Sequence, residues 1–370
     1  MRVWSAVHIA SGCKSNTTKN TAKHKAKYIA NRTATYTAHM NILVFGKDGQ
    51  LGKAFKASFD AGELDKLHRI TYVGRAECDL SNADAITGLL NDLKPNLIIN
   101  AAAYTAVDKA ETEVDLAYAI NAKAPEAMAI YAKQHSATLL HYSTDYVFDG
   151  SKNAPYVEGD PRNPLGIYGK SKAAGEEAIE AVFKISHQSN AEKARPAQGA
   201  QYAILRTSWV YGDGGNFIRT ILRLAKERET LKVIADQYGV PTSATWLAES
   251  SLALVLDEQH RVRPFPSGIY HAVPLGETTW HALATYAVQV AIEAGAALKL
   301  HPEAIEAIPA TDYPLPAPRP MNSRMVRGTT AALDKALSSS VNMTKSQLLE
   351  QSWESQVAAY VQDLAHQKRI

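Results

Sequence analysis

From Asn41 onward the chain alternates between short unbroken apolar runs and longer stretches whose apolar positions recur every three or four residues. "NILVF" (41–45), "RITYVG" (69–74), "NLIINAAA" (96–103), "ATLLHYST" (137–144) and "QYAILRTSWVYG" (201–212) are runs of the first kind. They predict strands, and their lack of alternation predicts strands covered on both faces. "LGKAFKASF" places Leu51, Phe55 and Phe59 four residues apart, which predicts a helix. "AITGLLNDLK", "VDLAYAINAKAPEAMAIYAKQH" and "YGKSKAAGEEAIEAVFK" predict three more. The alternation predicts an α/β fold, a Rossmann-type doubly wound parallel sheet with helices on both faces.

The second half is built differently. "NFIRTILRLAKERETLKVI" predicts an amphipathic helix leading to a strand, and "DQYGVPTSATWLAESSLALVLDEQ" a turn and helix that return to the first domain. "SGIYHAV" predicts a short strand, "TTWHALATYAVQVAIEAGAAL" a helix and "SWESQVAAYVQDLAHQ" a terminal helix. The expected organisation is a nucleotide-binding domain from 40–208 and 239–268, a smaller C-terminal α/β substrate domain from 209–238 and 269–340, and a helical tail over 341–370. The polar stretch "SHQSNAEKARPAQGAQ" (186–201) predicts a surface loop.

Residues 1–39 break the pattern. They hold seven Lys/Arg and no acidic residue, and have no sustained apolar period. They are expected to form a disordered N-terminal extension, read either as upstream translation from an early start or as a transit peptide. The other residues carry 33 basic and 37 acidic side chains, a net charge of −4, which argues against a nucleic-acid or anionic-membrane partner. Two cysteines exclude a disulfide scaffold and fit a reducing compartment, so a cytoplasmic location is expected. No apolar stretch is long enough to span a bilayer, and the twelve histidines show no metal-ligand spacing.

"GKDGQLG" follows the first strand and opens the first helix, so Gly46, Gly49 and Gly52 form G-x-x-G-x-x-G. Such glycines permit a tight turn, close approach of a pyrophosphate and close helix packing, and the helix N-terminus faces the phosphates. This predicts a dinucleotide site. A carboxylate at the end of the second strand would favour NADH. Gly74-Arg75 stands there instead. Arg75 is either a partner for a 2′-phosphate or a solvated arginine, so NADPH or NADH is expected. Asp79 offers a hydrogen bond to an adenine amine.

Tyr168 and Lys172 are four apart at the start of a helix and share a face. Alone, that spacing fits two surface residues. Beside a nucleotide site and a strand ending in Thr144, it fits carbonyl reduction. The ketone oxygen needs a proton, and a free tyrosine, with a pKa of about 10, gives one slowly at neutral pH. A neighbouring ammonium would favour the phenolate and lower that value. Thr144 can orient the carbonyl.

"GKDGQLG", "NAAAYTAVDKAE", "NAKAPEAMA", "HYSTDYVFDG", "YGKSKAAGE", "RTSWVYG", "DQYGVPTSA" and "PAPRPMNSRM" occur in that order. Together they closely resemble the dTDP-4-dehydrorhamnose reductase family of extended short-chain dehydrogenases/reductases, over about residues 40–330. The resemblance implies NAD(P)H-dependent reduction of the 4-keto group of dTDP-4-dehydro-6-deoxy-L-mannose, the last step of dTDP-L-rhamnose synthesis. It implies Gly46, Gly49, Gln50, Leu51 and Gly52 at the pyrophosphate, Asp79 and Leu80 at adenine, and Ala101, Ala102, Ala103 and Tyr142 beside the cofactor. Tyr168 becomes the proton donor, Lys172 its electrostatic partner and Thr144 the group that tunes it. Thr105, Val107, Asp145, Trp209, Arg319 and Asn322 fall where the family meets the sugar nucleotide. Read as residues, Trp209 is either a flat face for a sugar or base or a core tryptophan, and the proline-flanked "RPMNSR" is either a diphosphate contact or a rigid brace.

Some family members carry acidic residues that bind a metal at a dimer interface. Ala54 and Thr245 stand at those positions here, so no metal and a monomer or weak homodimer are expected. A 4,6-dehydratase would carry Asp-Glu after its threonine, whereas Thr144 is followed by Asp145-Tyr146. Another sugar-nucleotide epimerase or dehydratase, and a silent NAD(P)-binding regulatory subunit like the β subunit of methionine adenosyltransferase, remain the alternatives.

Overall fold

The computed structural model describes residues 39–184, 199–327, 332–338 and 343–370. The expectations for residues 1–38, and for 186–198 of the polar loop, lie outside these. The strands are β1 (Asn41–Phe45), β2 (Arg69–Val73), β3 (Leu97–Asn100), β4 (Thr138–Thr144), β5 (Gln201–Thr207), β6 (Leu231–Ile234), β7 (Gly268–His271) and β8 (Ile305–Ile308). The longer helices are α1 (Gln50–Ala61), α2 (Ala83–Leu93), α3 (Ala124–Gln134), α4 (Ile167–Lys184), α5 (Phe217–Glu227), α6 (Ala244–Val255), α7 (Trp280–Glu293) and α8 (Trp353–His366).

The main sheet has the order β7-β5-β4-β3-β1-β2. Every neighbouring pair in it is parallel. Chain order reverses at β1, which has β2 on one side and β3 on the other, so a crevice opens past the carboxyl ends of β1 and β3. Helices α1 and α6 cover one face through Phe55, Phe59, Trp246 and Leu247. The other face is covered by α2, α3 and α4 through Ile86, Leu90, Met128 and Ile179. Burial on both faces is why these strands read as unbroken apolar runs.

A separate apolar cluster joins α5, α7 and α8 with β6 and β8, which pair in parallel. Trp353, Val357, Val361 and Leu364 of α8 are part of it, so the terminal helix is an internal wall of this lobe. Residues Met40–Ile370 pack as a single compact unit. Among the described residues no helix is long and apolar enough to cross a membrane.

Two elements differ from the expectation. The helix predicted across 114–135 is interrupted by a π-helical turn at Ala119–Lys123. Pro125 has no N–H to give the carbonyl of Asn121 one turn earlier, and Gly175 of α4 packs against that carbonyl so closely that a β-carbon would lie 2.1 Å from it. The strand predicted across 201–212 ends at Thr207. Trp209 then adopts φ +48°, and Val210–Tyr211 pairs instead with Thr242–Ser243.

Candidate active site

The glycine turn sits at the topological switch. Gly46 has φ +87°, and a β-carbon there would lie 2.8 Å from the Ala101 backbone. At Gly52 it would lie 2.1 Å from the Gly46 carbonyl. The fold itself therefore requires both residues. Gly49 is different. Its φ is −79°, and an added β-carbon would meet only the Gly46 oxygen at 3.4 Å. The protein leaves space over Gly49, at the N-terminus of α1, and a pyrophosphate fits that space. Gln50 begins α1 and donates to the Val210 carbonyl at 3.4 Å, while Leu51 is buried beneath it.

A cavity of about 260 Å³ continues from Gly46 past Arg75, Asp79, Leu80, Ala102 and Ala103. Its size and position suit an adenosine. Asp79 accepts from the Ser81 N–H and hydroxyl at 3.0 and 2.9 Å, which hold its carboxyl below the usual range and fix it as an acceptor. Thr105 lines this same cavity, whereas Arg319 lines a different one. Tyr142 does not face the crevice with its ring. The ring packs against Phe55 in the core and the hydroxyl donates to Ser251 at 2.6 Å; what Tyr142 offers the site is its main-chain carbonyl.

Thr144 ends β4, and α4 brings Tyr168 and Lys172 to it. The Thr144 hydroxyl has three neighbours. It donates to Asp145 at 2.8 Å and accepts from the Tyr146 N–H at 3.2 Å, and it is close enough to the Tyr168 phenol to oppose the rise that burial gives that group. Tyr146 packs edge-on to Tyr168 with centroids 5.7 Å apart. Lys172 is buried and donates to the Tyr142 carbonyl at 2.5 Å.

The electrostatics depart from the expectation. Burial pushes the Tyr168 phenol up to about 12, with the Thr144 bond opposing and the Asp145 charge assisting the rise. Lys172 is not among the groups that move it. Burial also brings the Lys172 ammonium down to about 8, against the pull of Glu176. Asp145 is buried and raised to about 6 by desolvation, moderated by nearby hydroxyls including that of Thr144. Tyr168 is thus held as a protonated donor, the form that reduction requires.

A second cavity, of about 430 Å³, lies between Tyr146, Phe217, Lys232, Trp280, Tyr313 and Arg319. Arg319 forms a two-pronged ion pair with Asp108 at 2.6 and 2.9 Å, which ties the proline-rich segment to the residue after Val107. Trp209 is half-buried and stacks on Trp280 with centroids 3.6 Å apart, so one indole face is already covered. Asn322 is a brace and not a pocket group. Its amide donates to the Lys152 and Ala154 carbonyls at 2.5 and 3.1 Å, and its oxygen accepts from the Arg324 backbone and guanidinium.

Three supporting groups were not read from the sequence. Asn121, in the π turn, accepts from the Tyr104 N–H at 2.9 Å and donates to the Tyr104 carbonyl and Ser171 hydroxyl at 3.0 Å each, joining the Ala101–Ala103 segment to α4. Glu176 lies one turn beyond Lys172, fully buried, and accepts from Arg206 at 2.9 and 2.7 Å and from Arg162 at 2.5 Å. His141 lies 3.4 Å from Lys172. The spacing Tyr168, Lys172, Glu176 was a signal for the second, since all three share a helical face.

A family model described as RmlD substrate binding domain matches residues 40–365. The dTDP-4-dehydrorhamnose reductase of Salmonella typhimurium is 44% identical over 290 residues, 77% of this chain and 89% of that protein. The crystal structure of a dTDP-4-dehydrorhamnose reductase from Clostridium acetobutylicum superposes with a TM-score of 0.71 at 31% identity, over 88% of this chain and 99% of that one. The Bacillus anthracis reductase, solved in complex with NADP, superposes with a TM-score of 0.67 at 28% identity, over 87% of this chain and 98% of that one. The match of that family model to most of the chain, with a relative 44% identical over 77% of it, shows that the chain belongs to the dTDP-4-dehydrorhamnose reductase family.

Proposed function

We propose that this chain reduces the 4-keto group of dTDP-4-dehydro-6-deoxy-L-mannose to give dTDP-L-rhamnose, with NADPH or NADH as reductant. The observation that carries the reading is the convergence of Tyr168 on Thr144 at the end of β4, beside the crevice that Gly46 and Ala101 form. When bound, the nicotinamide supplies the hydride. Gly46, Gly49, Gln50 and Leu51 would hold the pyrophosphate, Asp79 and Leu80 the adenine, and Ala101–Ala103 the cofactor's flank.

The chain's own groups manage the proton. Tyr168 gives its phenolic proton to the ketone oxygen. Thr144 has one proton and can point it at Asp145 or at Tyr168. Turning it toward the phenolate as that charge develops lowers the barrier, since a hydrogen bond to the charged form favours that form. The Lys172 ammonium would meet the nicotinamide ribose. The larger cavity, with Arg319 and Trp280, would receive the sugar nucleotide in the lobe built from 209–238 and 269–340 and closed by α8. We assign the reaction to the cytoplasm and to a monomer or weak homodimer, since Ala54 and Thr245 offer no carboxylates to bridge two copies.

The test is chemical. The keto sugar nucleotide and NADPH are incubated with the protein, and the product sugar is identified by chromatography and proton NMR. Equimolar loss of NADPH and appearance of dTDP-L-rhamnose supports the reading. NADPH binding without turnover would replace it with a silent nucleotide-binding subunit.

A further inference from the structure

His141 sits at the centre of β4 and is 1% exposed. Its Nε2 lies 3.4 Å from Lys172 Nζ, and its Nδ1 lies 3.0 Å from the side-chain amide of Asn100. Asn100 ends β3, directly opposite His141 in the sheet register, and is equally buried. Three polar side chains thus form a line from β3 through β4 to α4. Nothing in the proton transfer assigned to Tyr168 uses the first two.

The protons of this line can be placed. Burial and the neighbouring Lys172 hold the imidazole neutral, so one ring nitrogen donates and the other accepts. If Nδ1 accepts from the Asn100 amide nitrogen, Nε2 carries its proton toward an ammonium, and the Asn100 Oδ1 is left buried without a partner. Turning the Asn100 amide over, so that its oxygen faces Nδ1 and its nitrogen takes the unpartnered position, removes the first fault. Nδ1–H then donates to Oδ1, and the Nε2 lone pair accepts from Lys172. The Tyr142 carbonyl takes a second N–H of the ammonium. One N–H remains for the cleft.

We infer that His141, with its tautomer fixed by Asn100, is a positioning residue that holds Lys172 as an ammonium and fixes the direction of its remaining N–H. This rests on the reading of Tyr168 and Lys172 given above. The charged groups around Lys172 are Glu176 on its own helix and, bonded to Glu176, Arg206 of β5 and Arg162 of the loop before α4. Glu176 supports the ammonium from one side and His141 from the other. Removing the imidazole acceptor leaves one N–H of a buried cation unpaired, which lowers the affinity of Lys172 for its proton.

The experiment is the pH dependence of kcat for wild type, His141→Leu, His141→Gln and Asn100→Leu, with melting temperature and NADPH affinity as checks on folding. His141→Leu is expected to move the alkaline limb down by about one pH unit and to lower kcat about tenfold on that side. The Gln variant, whose side-chain oxygen can accept from Lys172, is expected to recover most of the shift. Asn100→Leu, which frees the tautomer, is expected to move the limb in the same direction by less. An unmoved limb in folded His141→Leu overturns the inference; if that variant does not fold, an unmoved limb in Asn100→Leu does so. Lys172→Met separates the two levels. If it is inactive while the His141 limb is unmoved, only the role of His141 falls. If it retains full turnover, the reading of Lys172 falls first.

Discussion

The Lys172 ammonium lies 2.5 Å from the main-chain oxygen of Tyr142, a bond that ties α4 to the strand whose end carries Thr144. It fixes where Tyr168, one turn earlier, can stand. It also means that the lysine's first partner is the backbone.

The proposed role of the Lys172 ammonium gives turnover an expected pH range. Lys172 is brought down to about 8 by burial, while Tyr168 is pushed up to about 12. The rate of reduction is expected to hold at neutral pH and to fall as pH rises through about 8, because the ammonium is lost there. The phenol stays protonated across this range. A kcat profile with a single alkaline limb near pH 8 fits; a limb absent below pH 10 contradicts it.

The glycine turn separates folding from binding. Gly52→Ala forces a β-carbon to within 2.1 Å of the Gly46 oxygen, so a lower melting temperature is expected. Gly49→Ala meets no such obstacle in the protein. Its melting temperature is expected to stay within a few degrees of wild type while NADPH affinity falls at least tenfold, because the added methyl occupies the pyrophosphate's space. Thermal denaturation and NADPH titration by fluorescence read the two effects separately.

Arg75 lines the cavity to which the adenosine is assigned above. Arg75→Ala is expected to weaken NADPH by roughly tenfold, in line with one charge-assisted hydrogen bond at an exposed site, and to leave NADH nearly unchanged. The difference is expected to shrink as salt is added. Equal losses for both nucleotides would assign Arg75 to solvent.

The buried cluster behind Lys172 is structural. Arg206→Leu leaves the fully buried Glu176 carboxylate short of two hydrogen bonds, and a loss of about 3–5 kcal/mol is expected from chemical denaturation. The pairing holds the Glu176 carboxyl below its ordinary value near 4.5. Its contribution is therefore present above that pH and is lost as pH falls through the folded-state value. Acid unfolding of the variant is expected to be shallower than that of wild type.

The sheet and both ends of the Tyr168 helix were legible because parallel strands covered on two faces must be apolar throughout, and because Tyr168, Lys172 and the glycines lie within short local patterns. The Asn121 bulge was not. It depends on Pro125 withholding one N–H and on Gly175 arriving from a helix fifty residues later, which no local period records. Trp209 was read as the continuation of a strand, since a left-handed conformation at tryptophan has no signal in its neighbours. Asn322 and Tyr142 lie beside functional residues in the chain but point elsewhere, because side-chain direction is set by packing. Burial, which no local pattern records, raises the Tyr168 phenol in the protein alone, while the bonds of Lys172 go to the Tyr142 carbonyl and His141.

The most direct measurement is NADPH consumption with dTDP-4-dehydro-6-deoxy-L-mannose for wild type and Tyr168→Phe, with both proteins shown to be folded and to bind NADPH. The account predicts turnover by wild type and a kcat lower by about 10²–10⁴-fold in the variant, the range for losing a positioned general acid, at nearly unchanged cofactor affinity. Wild-type turnover that survives undiminished in Tyr168→Phe would contradict the role of Tyr168, and a folded, NADPH-bound wild type with no turnover would contradict the reductase itself.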